Sequence, residues 1–191
     1  LTVNLGATAI GTAVNASPYY VAHIVPVLAE LSGLPVRQAD DLFDATQNLD
    51  CLVAASGAVK TCALTMSKIA NDLRLLSSGP KTGIGEIRLP PMQNGSSIMP
   101  GKVNPVIPEV VTQAAYRIAG NDVTVGLCAE AGQLELNAFE PVLFDSLFES
   151  LDLLARAAET FRVNCVEGIE ADEARCRFLL QESYGVVTAL C

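Results

Sequence analysis

The densest group of chemically useful side chains lies in one eleven-residue string, Gly95-Ser96-Ser97-Ile98-Met99-Pro100-Gly101-Lys102-Val103-Asn104-Pro105. The string brings two hydroxyls, an ammonium group and a carboxamide together between glycines and prolines, which shape the backbone. It also leads into a helical pattern, and a helix N-terminus favours anions. Such a set can hold a carboxylate. On composition alone, however, a solvated loop with an ordinary helix cap is the commoner origin of a short polar motif.

Charge and hydropathy narrow the range of partners. The chain has 191 residues and a formal net charge of −9, and no cluster of Lys and Arg offsets that charge locally. We therefore expect neither a nucleic acid nor a membrane as partner, because both would repel an acidic surface. The apolar stretches are also shorter than the roughly 18 residues that a membrane span needs. A mean hydropathy of +0.37 predicts that apolar surface is covered in an oligomer.

The elements around the string are predicted to be helices, since apolar residues recur at helical spacing and no β-rich alternation is present. We expect an all-α fold. The long stretch 40–76 predicts a single rod of about 55 Å, and the stretch 77–101, rich in Gly and Pro, predicts a long ordered loop. Residues 1–15 predict a helix end followed by a turn. The remaining predicted helices cover residues 19–31, 104–131, 137–165 and 171–182.

Other candidate groups favour structural roles. His23, the one histidine, lies in an apolar helical segment without partners in the sequence. Asn71-Asp72-Leu73-Arg74 favours local pairing at a helix end, and Glu130 with Glu135 favours a solvated or interface turn. The glycines of the stretch 6–11 favour close helix packing over a nucleotide loop. Six singly spaced cysteines predict buried thiols, at positions Cys51, Cys62, Cys128, Cys165, Cys176 and Cys191.

The string resembles the loop that marks the aspartase/fumarase superfamily of lyases. The resemblance extends through residues 68–80 and 85–87 and back to residues 4–12, so that nearly the whole chain is similar to the central and C-terminal part of such a lyase. It implies a bundle of long helices, with a central helical domain in residues 1–165 and the start of a small C-terminal domain in residues 166–191. It also implies a homotetramer and a longer subunit than this chain. A cytoplasmic location is predicted from the singly spaced cysteines.

Within the superfamily, residues 106–111 and 129–137 resemble the aspartase branch. The resemblance implies reversible elimination of ammonia from L-aspartate to give fumarate, a small dicarboxylate, without a metal or organic cofactor. Two alternatives stay open. One is the fumarase reaction, in which malate loses water, and the other is an inactive truncated remnant, because a Thr-His motif of the family is not found in this sequence.

The resemblance also implies roles for individual residues. Ser96 corresponds to the general base that removes the proton from Cβ of the substrate. Lys102 and Asn104 correspond to positions that bind substrate carboxylate, with Ser97 and the Val103 backbone beside them. Glu109 corresponds to a carboxylate that pairs with an active-site histidine, which the Thr-His motif would supply. In the family each active site is built from three subunits.

Overall fold

The computed structural model describes residues 1–79, 81–95, 98–99 and 101–189, and these residues confirm the all-α fold. Ser96 and Ser97 lie outside the described residues. Short strands and 3₁₀ turns accompany the helices. The helices are α1 (Pro18–Ser32), α2 (Leu42–Gln47), α3 (Asp50–Leu76), α4 (Val106–Glu130), α5 (Glu140–Asn164) and α6 (Glu173–Gln181). The strands are β1 (Thr2–Val3), β2 (Arg37–Gln38), β3 (Ile87–Arg88) and β4 (Glu170–Ala171), and the 3₁₀ segments are Val166–Gly168 and Tyr184–Ala189.

The chain forms two compact units, and α3, α4 and α5 contribute residues to both. The first unit contains Leu1–Ala58 and Asn121–Phe148, and the second contains Val59–Gly120 and Glu149–Cys191. The core of the first unit consists of Leu49, Val125, Cys128, Leu143 and Leu147. The second unit has one cluster of Ala70, Val111, Phe161 and Cys165 and another of Ala63, Ala115 and Ile118. A domain boundary at residue 165 stays a prediction.

The N-terminal stretch differs from the predicted helix end. β1 pairs in parallel with β2, and left-handed backbone angles follow it at Gly6, Thr8, Gly11, Ala13 and Asn15. Residues with positive φ cannot continue a right-handed helix, so the chain turns repeatedly here. The close packing expected of the glycines is present at Gly11, where an added Cβ would lie 2.7 Å from the backbone N of Phe43 in α2.

The single long rod predicted for residues 40–76 is wrong, because the chain leaves the helix between α2 and α3. Asp41 caps α2 by accepting bonds from two backbone N–H groups. Asn48 ends it in an extended conformation and donates its side-chain amide to Asp44 Oδ1 at 2.6 Å. Asn competes for such local bonds and so favours helix ends. The 27 residues of α3 span about 40 Å.

The predicted loop 77–101 contains a strand, because β3 pairs antiparallel with β4. A two-residue strand is too short for its alternation to appear in the sequence. The predictions for α1, α4, α5 and α6 are confirmed within a few residues. Asp172 differs slightly from expectation, since it caps α6 by accepting the Arg175 N–H instead of lying in the first turn.

The cysteines are only partly buried as predicted. Cys128 and Cys165 are buried, and burial raises the pKa of the Cys165 thiol. Cys51 and Cys62 are exposed in the single chain, which contradicts the prediction, and Cys176 is half-buried. Cys191 lies outside the described residues. Both exposed cysteines lie on α3, and the described residues of this chain do not cover their side chains.

The described residues contain neither a helix suited to span a membrane nor a cluster of metal-binding side chains. None of the described helices is both long and apolar enough to cross a membrane. Within the same residues, no group of three or more His, Cys, Asp or Glu side chains lies close enough together to hold a metal ion.

Candidate active site

The predicted site lies in the connection between α3 and α4, in the second unit. Gly95 and Lys102 hold together the two ends of the piece that contains Ser96 and Ser97. A Cβ added to Gly95 would overlap the Lys102 carbonyl oxygen, so the two backbones are in direct contact there. The Lys102 N–H also donates to the Met99 carbonyl at 3.1 Å, which forms a turn. Only glycine fits at position 95 without moving this backbone.

Lys102, Val103 and Asn104 follow one another directly before α4. Lys102 and Val103 are exposed, whereas Asn104 is half-buried. The Asn104 carbonyl accepts the Val106 N–H at 2.9 Å in a tight turn directly before α4, and the Pro105 carbonyl accepts the Glu109 N–H of the first helical turn at 3.2 Å. The segment therefore combines an exposed ammonium group with a helix N-terminus, and both attract a carboxylate. Their role in substrate binding stays a prediction.

Glu109 lies in the first turn of α4 and faces the end of α3. Its Oε1 lies 3.6 Å from Nη2 of Arg74, and both side chains are partly exposed, at 37% and 41%. The Arg74 guanidinium also donates through Nη1 to the Asn71 side chain at 3.3 Å. A negative charge in the first turn of a helix is favourable in itself. The Glu109 carboxylate thus lies near the Arg74 guanidinium and in the first turn of α4.

This geometry corrects part of the prediction for residues 71–74. Asp72 does pair locally, but its partner is Lys68 one turn earlier. Arg74 makes its local contact with Asn71 and reaches its carboxylate partner, Glu109, on the next long helix. The sequence holds a usable signal, since no acidic residue stands three or four positions from Arg74. A helical arginine without such a neighbour has no carboxylate on its own helix face and is available for one on another element.

A second set of contacts attaches the C-terminal elements to the same connection, and sequence reasoning missed it. Arg175 of α6 donates through Nε to the Ile84 carbonyl at 2.8 Å and through Nη2 to the Gly83 carbonyl at 3.1 Å. Arg88 of β3 pairs with Asp172 at 2.7 Å. The Arg175 N–H, followed by the Arg88 guanidinium, lowers the pKa of the Asp172 carboxyl. These partners are more than eighty positions apart, so local pattern gives no sign of them.

The remaining candidates lie in the first unit. His23 is exposed, its Nδ1 lies 2.7 Å from the Tyr19 carbonyl, and its ring stacks on the Tyr19 ring with centroids 4.1 Å apart. Its surface position agrees with the structural role favoured above. Glu130 ends α4, and Glu135 is exposed in the turn that follows. Leu136 and Gln133 close that turn with paired backbone hydrogen bonds of 2.9 and 3.2 Å.

Known structures and sequences define the class to which this fold and loop belong. The chain is similar to a fumarate lyase/delta-crystallin protein from Brucella melitensis bound to cobalt, with a TM-score of 0.94 and 51% identity over 99% of this chain and 41% of that one. A class II fumarase from Schistosoma mansoni gives a TM-score of 0.86 and 33% identity, over 90% and 39% of the two chains. The superfamily resemblance is therefore confirmed.

The family follows from a direct match. The family model described as Lyase matches residues 1–120, and the chain belongs to this lyase family. Two relatives named aspartate ammonia-lyase, from Pseudomonas canavaninivorans and Bacillus subtilis (strain 168), are 56% and 52% identical over 98% of this chain. The chain spans about 40% of the length of these relatives.

Proposed function

We propose that the full-length protein containing this chain is an ammonia-lyase that converts L-aspartate to fumarate and ammonia. The observation that carries the proposal is the difference in identity between two kinds of relative. Identity is 56% and 52% to proteins named aspartate ammonia-lyase, but 33% to a class II fumarase. Residues 106–111 and 129–137, which resemble aspartases, add to this support.

The proposed chemistry assigns the base to Ser96. It removes a proton from Cβ, the Cα–N bond breaks, and ammonia leaves as the double bond of fumarate forms. A serine hydroxyl is a weak base, so it must act as an alkoxide-like group stabilised by N–H donors and cations in a water-excluded loop. The contact between the Gly95 and Lys102 backbones supports this assignment, because it brings together the two residues that flank the segment containing Ser96.

The substrate carboxylates are assigned to the residues before α4. The β-carboxylate becomes a dianionic aci-carboxylate as the Cβ proton leaves, and preorganised positive groups stabilise such charge strongly. Lys102 supplies an ammonium group, while Asn104, Ser97 and the Val103 backbone supply hydrogen-bond donors. The exposed position of Lys102 directly before the N-terminus of α4 supports this assignment.

Glu109 is assigned as the partner of an active-site histidine supplied by another part of the protein. A carboxylate beside an imidazole fixes the tautomer of the ring and favours its charged form. We further propose a homotetramer with active sites shared among subunits, which would cover apolar side chains that are exposed in the single chain, such as Leu127 and Phe148. A cytoplasmic location stays a prediction.

A substrate comparison tests the proposed reaction. The full-length protein is incubated with L-aspartate and with L-malate in parallel, and fumarate is followed by its ultraviolet absorbance. We expect fumarate from aspartate and little or none from malate. Preference for malate would assign the protein to the fumarase branch. No product from either substrate would favour the inactive remnant.

Exchange of Ser96 tests the assigned base. Ser96→Ala should lower kcat by about 10²- to 10⁴-fold, the range that general acid–base groups contribute. Ser183→Ala is the matched control, because Ser183 is exposed and its hydroxyl accepts a local N–H from Gly185 at 3.0 Å. Size-exclusion chromatography should show the same oligomer for both variants. Equal kcat in both would remove Ser96 from the role of base.

Exchange of Lys102 tests the assigned carboxylate site. Lys102→Met should lower kcat/KM by about 10²-fold or more, since a donor aimed at developing charge is typically worth that much. Lys81→Met removes an exposed ammonium group from the same connection and serves as control. If both variants keep the kcat/KM of the unmodified protein, Lys102 does not bind the substrate.

A further inference from the structure

We propose that Arg74 is a positioning residue for Glu109. Its guanidinium holds one carboxylate oxygen of Glu109 and thereby turns the other oxygen toward the imidazole that Glu109 is assigned to bind. This inference rests on the proposed function. It concerns a residue at the end of α3, outside the serine-containing loop and outside the groups that touch the substrate.

The geometry uses both arms of the guanidinium. Nη1 donates to Asn71 Oδ1 at 3.3 Å, and Nη2 lies 3.6 Å from Glu109 Oε1. A planar guanidinium that is held at one arm presents the other arm in a fixed direction, which a flexible ammonium group does not do. Asn71 therefore orients Arg74, and Arg74 in turn faces one defined oxygen of Glu109.

The two helices that carry the pair are packed against each other close to it. Ala70 on α3 and Val111 on α4 are fully buried in one apolar cluster, and Leu73 and Ile107 pack against that cluster. Leu73 is the neighbour of Arg74 in the chain, and Ile107 lies two positions before Glu109. Close packing leaves little freedom for the backbone on either side. The side-chain pair is thus built on a rigid base.

The charges around the pair leave Arg74 available for Glu109. Asp72 is the nearest carboxylate in sequence, but residues two positions apart on a helix do not face each other, and Asp72 pairs with Lys68. A partly exposed pair at 3.6 Å contributes little to the stability of the fold. The pair matters instead for the orientation and charge of the Glu109 carboxylate. A small displacement of such a group changes the catalytic rate more than it changes the stability of the fold.

The test compares arginine variants in the full-length protein. Arg74→Gln should lower kcat by about 5- to 20-fold with KM nearly unchanged, because supporting partners of functional side chains are typically worth about tenfold or more. Arg74→Lys should recover part of the loss, since it restores the charge without the two-armed geometry. The matched control is Arg117→Gln, which breaks a better-formed pair with Glu149 at 2.9 Å in the same unit. It should leave kcat unchanged.

A double variant tests whether Arg74 affects kcat through Glu109. If Arg74 acts through Glu109, Arg74→Gln combined with Glu109→Gln should be no slower than Glu109→Gln alone, because residues that act as one unit are non-additive. Multiplied losses, or equal kcat for Arg74→Gln and Arg117→Gln, would overturn the inference while the unmodified protein still releases fumarate. Absence of turnover by the unmodified protein would overturn the proposed function and this inference together.

Discussion

Two connections between long helices are held in place by different kinds of side chain. The turn from α4 to α5 covers residues 131–139 and belongs to the first unit, whereas the connection from α3 to α4 covers residues 77–105 and belongs to the second. Neutral groups from the immediate neighbourhood hold the short turn. Charged groups from distant parts of the chain hold the long connection.

The short turn depends on one buried amide. The side chain of Asn137 donates to the Cys128 carbonyl at 2.8 Å and accepts the Phe139 N–H at 2.8 Å, and Asn137 is only 5% exposed. It therefore connects the end of α4 to the residue before α5. A buried polar group with all its partners nearby fixes one conformation, and its removal leaves those partners unsatisfied.

The long connection depends on side chains that reach it from other elements. Arg175 of α6 binds the carbonyls of Gly83 and Ile84, and Asp172, which caps α6, pairs with Arg88 of the connection. These contacts are partly exposed to solvent, so each is individually weak. The short turn is thus fixed by one buried amide, whereas the described part of the long connection is held by partly exposed contacts from α6 and the residue before it.

The largest expected effect comes from the glycines of the two connections. Gly95→Ala should lower kcat by about 10²-fold, because a misplacement of about 1 Å in a catalytic segment costs that much, and the new Cβ overlaps the Lys102 carbonyl. Gly132→Ala is the counterpart in the short turn, where the new Cβ would meet the Asn137 side chain at 3.2 Å. Gly132→Ala should lower the thermal stability of the protein, and its effect on kcat should be smaller than that of Gly95→Ala. Steady-state kinetics and thermal unfolding of both variants measure the two effects. A loss of kcat in Gly132→Ala but not in Gly95→Ala would contradict the prediction.

The second expected effect separates buried from exposed amides. Asn137→Ala should lower the free energy of unfolding by about 2 kcal/mol, since it leaves buried backbone groups without partners. Asn48→Ala is the control, because Asn48 is exposed and its side-chain amide donates to Asp44 of the same helix. Denaturant unfolding at one protein concentration measures both. Equal losses would mean that burial of Asn137 does not determine its contribution.

The sequence predicted the fold class and most helices, because periodicity and helix-ending residues are local signals. Gly33, for example, ends α1 in the left-handed conformation as its position indicates. The break at Asn48 was missed because the apolar period continues across it. The strand pair β3 and β4 was missed because two residues carry no readable pattern.

The candidate site was predictable from the sequence only as far as the motif that carries the resemblance. That motif singled out Lys102, Asn104 and Glu109, and their catalytic and binding roles stay predictions. The contact between Arg74 and Glu109 joins two helices across 35 positions and depends on how those helices pack. Tertiary packing of this kind is not contained in local propensity. The contacts of Arg175 escaped prediction for the same reason.

A third, smaller effect is expected where α6 meets the long connection. Arg175→Met should lower the free energy of unfolding by about 1 kcal/mol, because two charge-assisted hydrogen bonds from a half-buried group are lost. Amide hydrogen exchange around Ile84 and Glu86 should become faster. Arg177→Met changes an exposed arginine of the same helix and should alter neither measurement. Unchanged exchange in Arg175→Met would show that other contacts fix this stretch.

The smallest expected effect depends on pH and concerns Asp172. The Arg175 N–H and then Arg88 lower the pKa of this carboxyl in the folded protein, whereas in the unfolded chain it is near its ordinary value of about 3.9. The ionised form therefore contributes stability above that unfolded value, and the contribution is lost as the pH falls through the lowered pKa.

Asp172→Asn isolates this contribution, because asparagine also caps helices and keeps the acceptor for the Arg175 N–H. The variant should be slightly less stable than the unmodified protein near neutral pH, and the difference should shrink as the pH falls through the lowered pKa of Asp172. Thermal unfolding across that range measures the difference, with exposed Asp40→Asn as the matched control. A difference that stayed constant with pH would arise from lost packing and not from charge. The attachment of α6 to the long connection would then not depend on the ion pair.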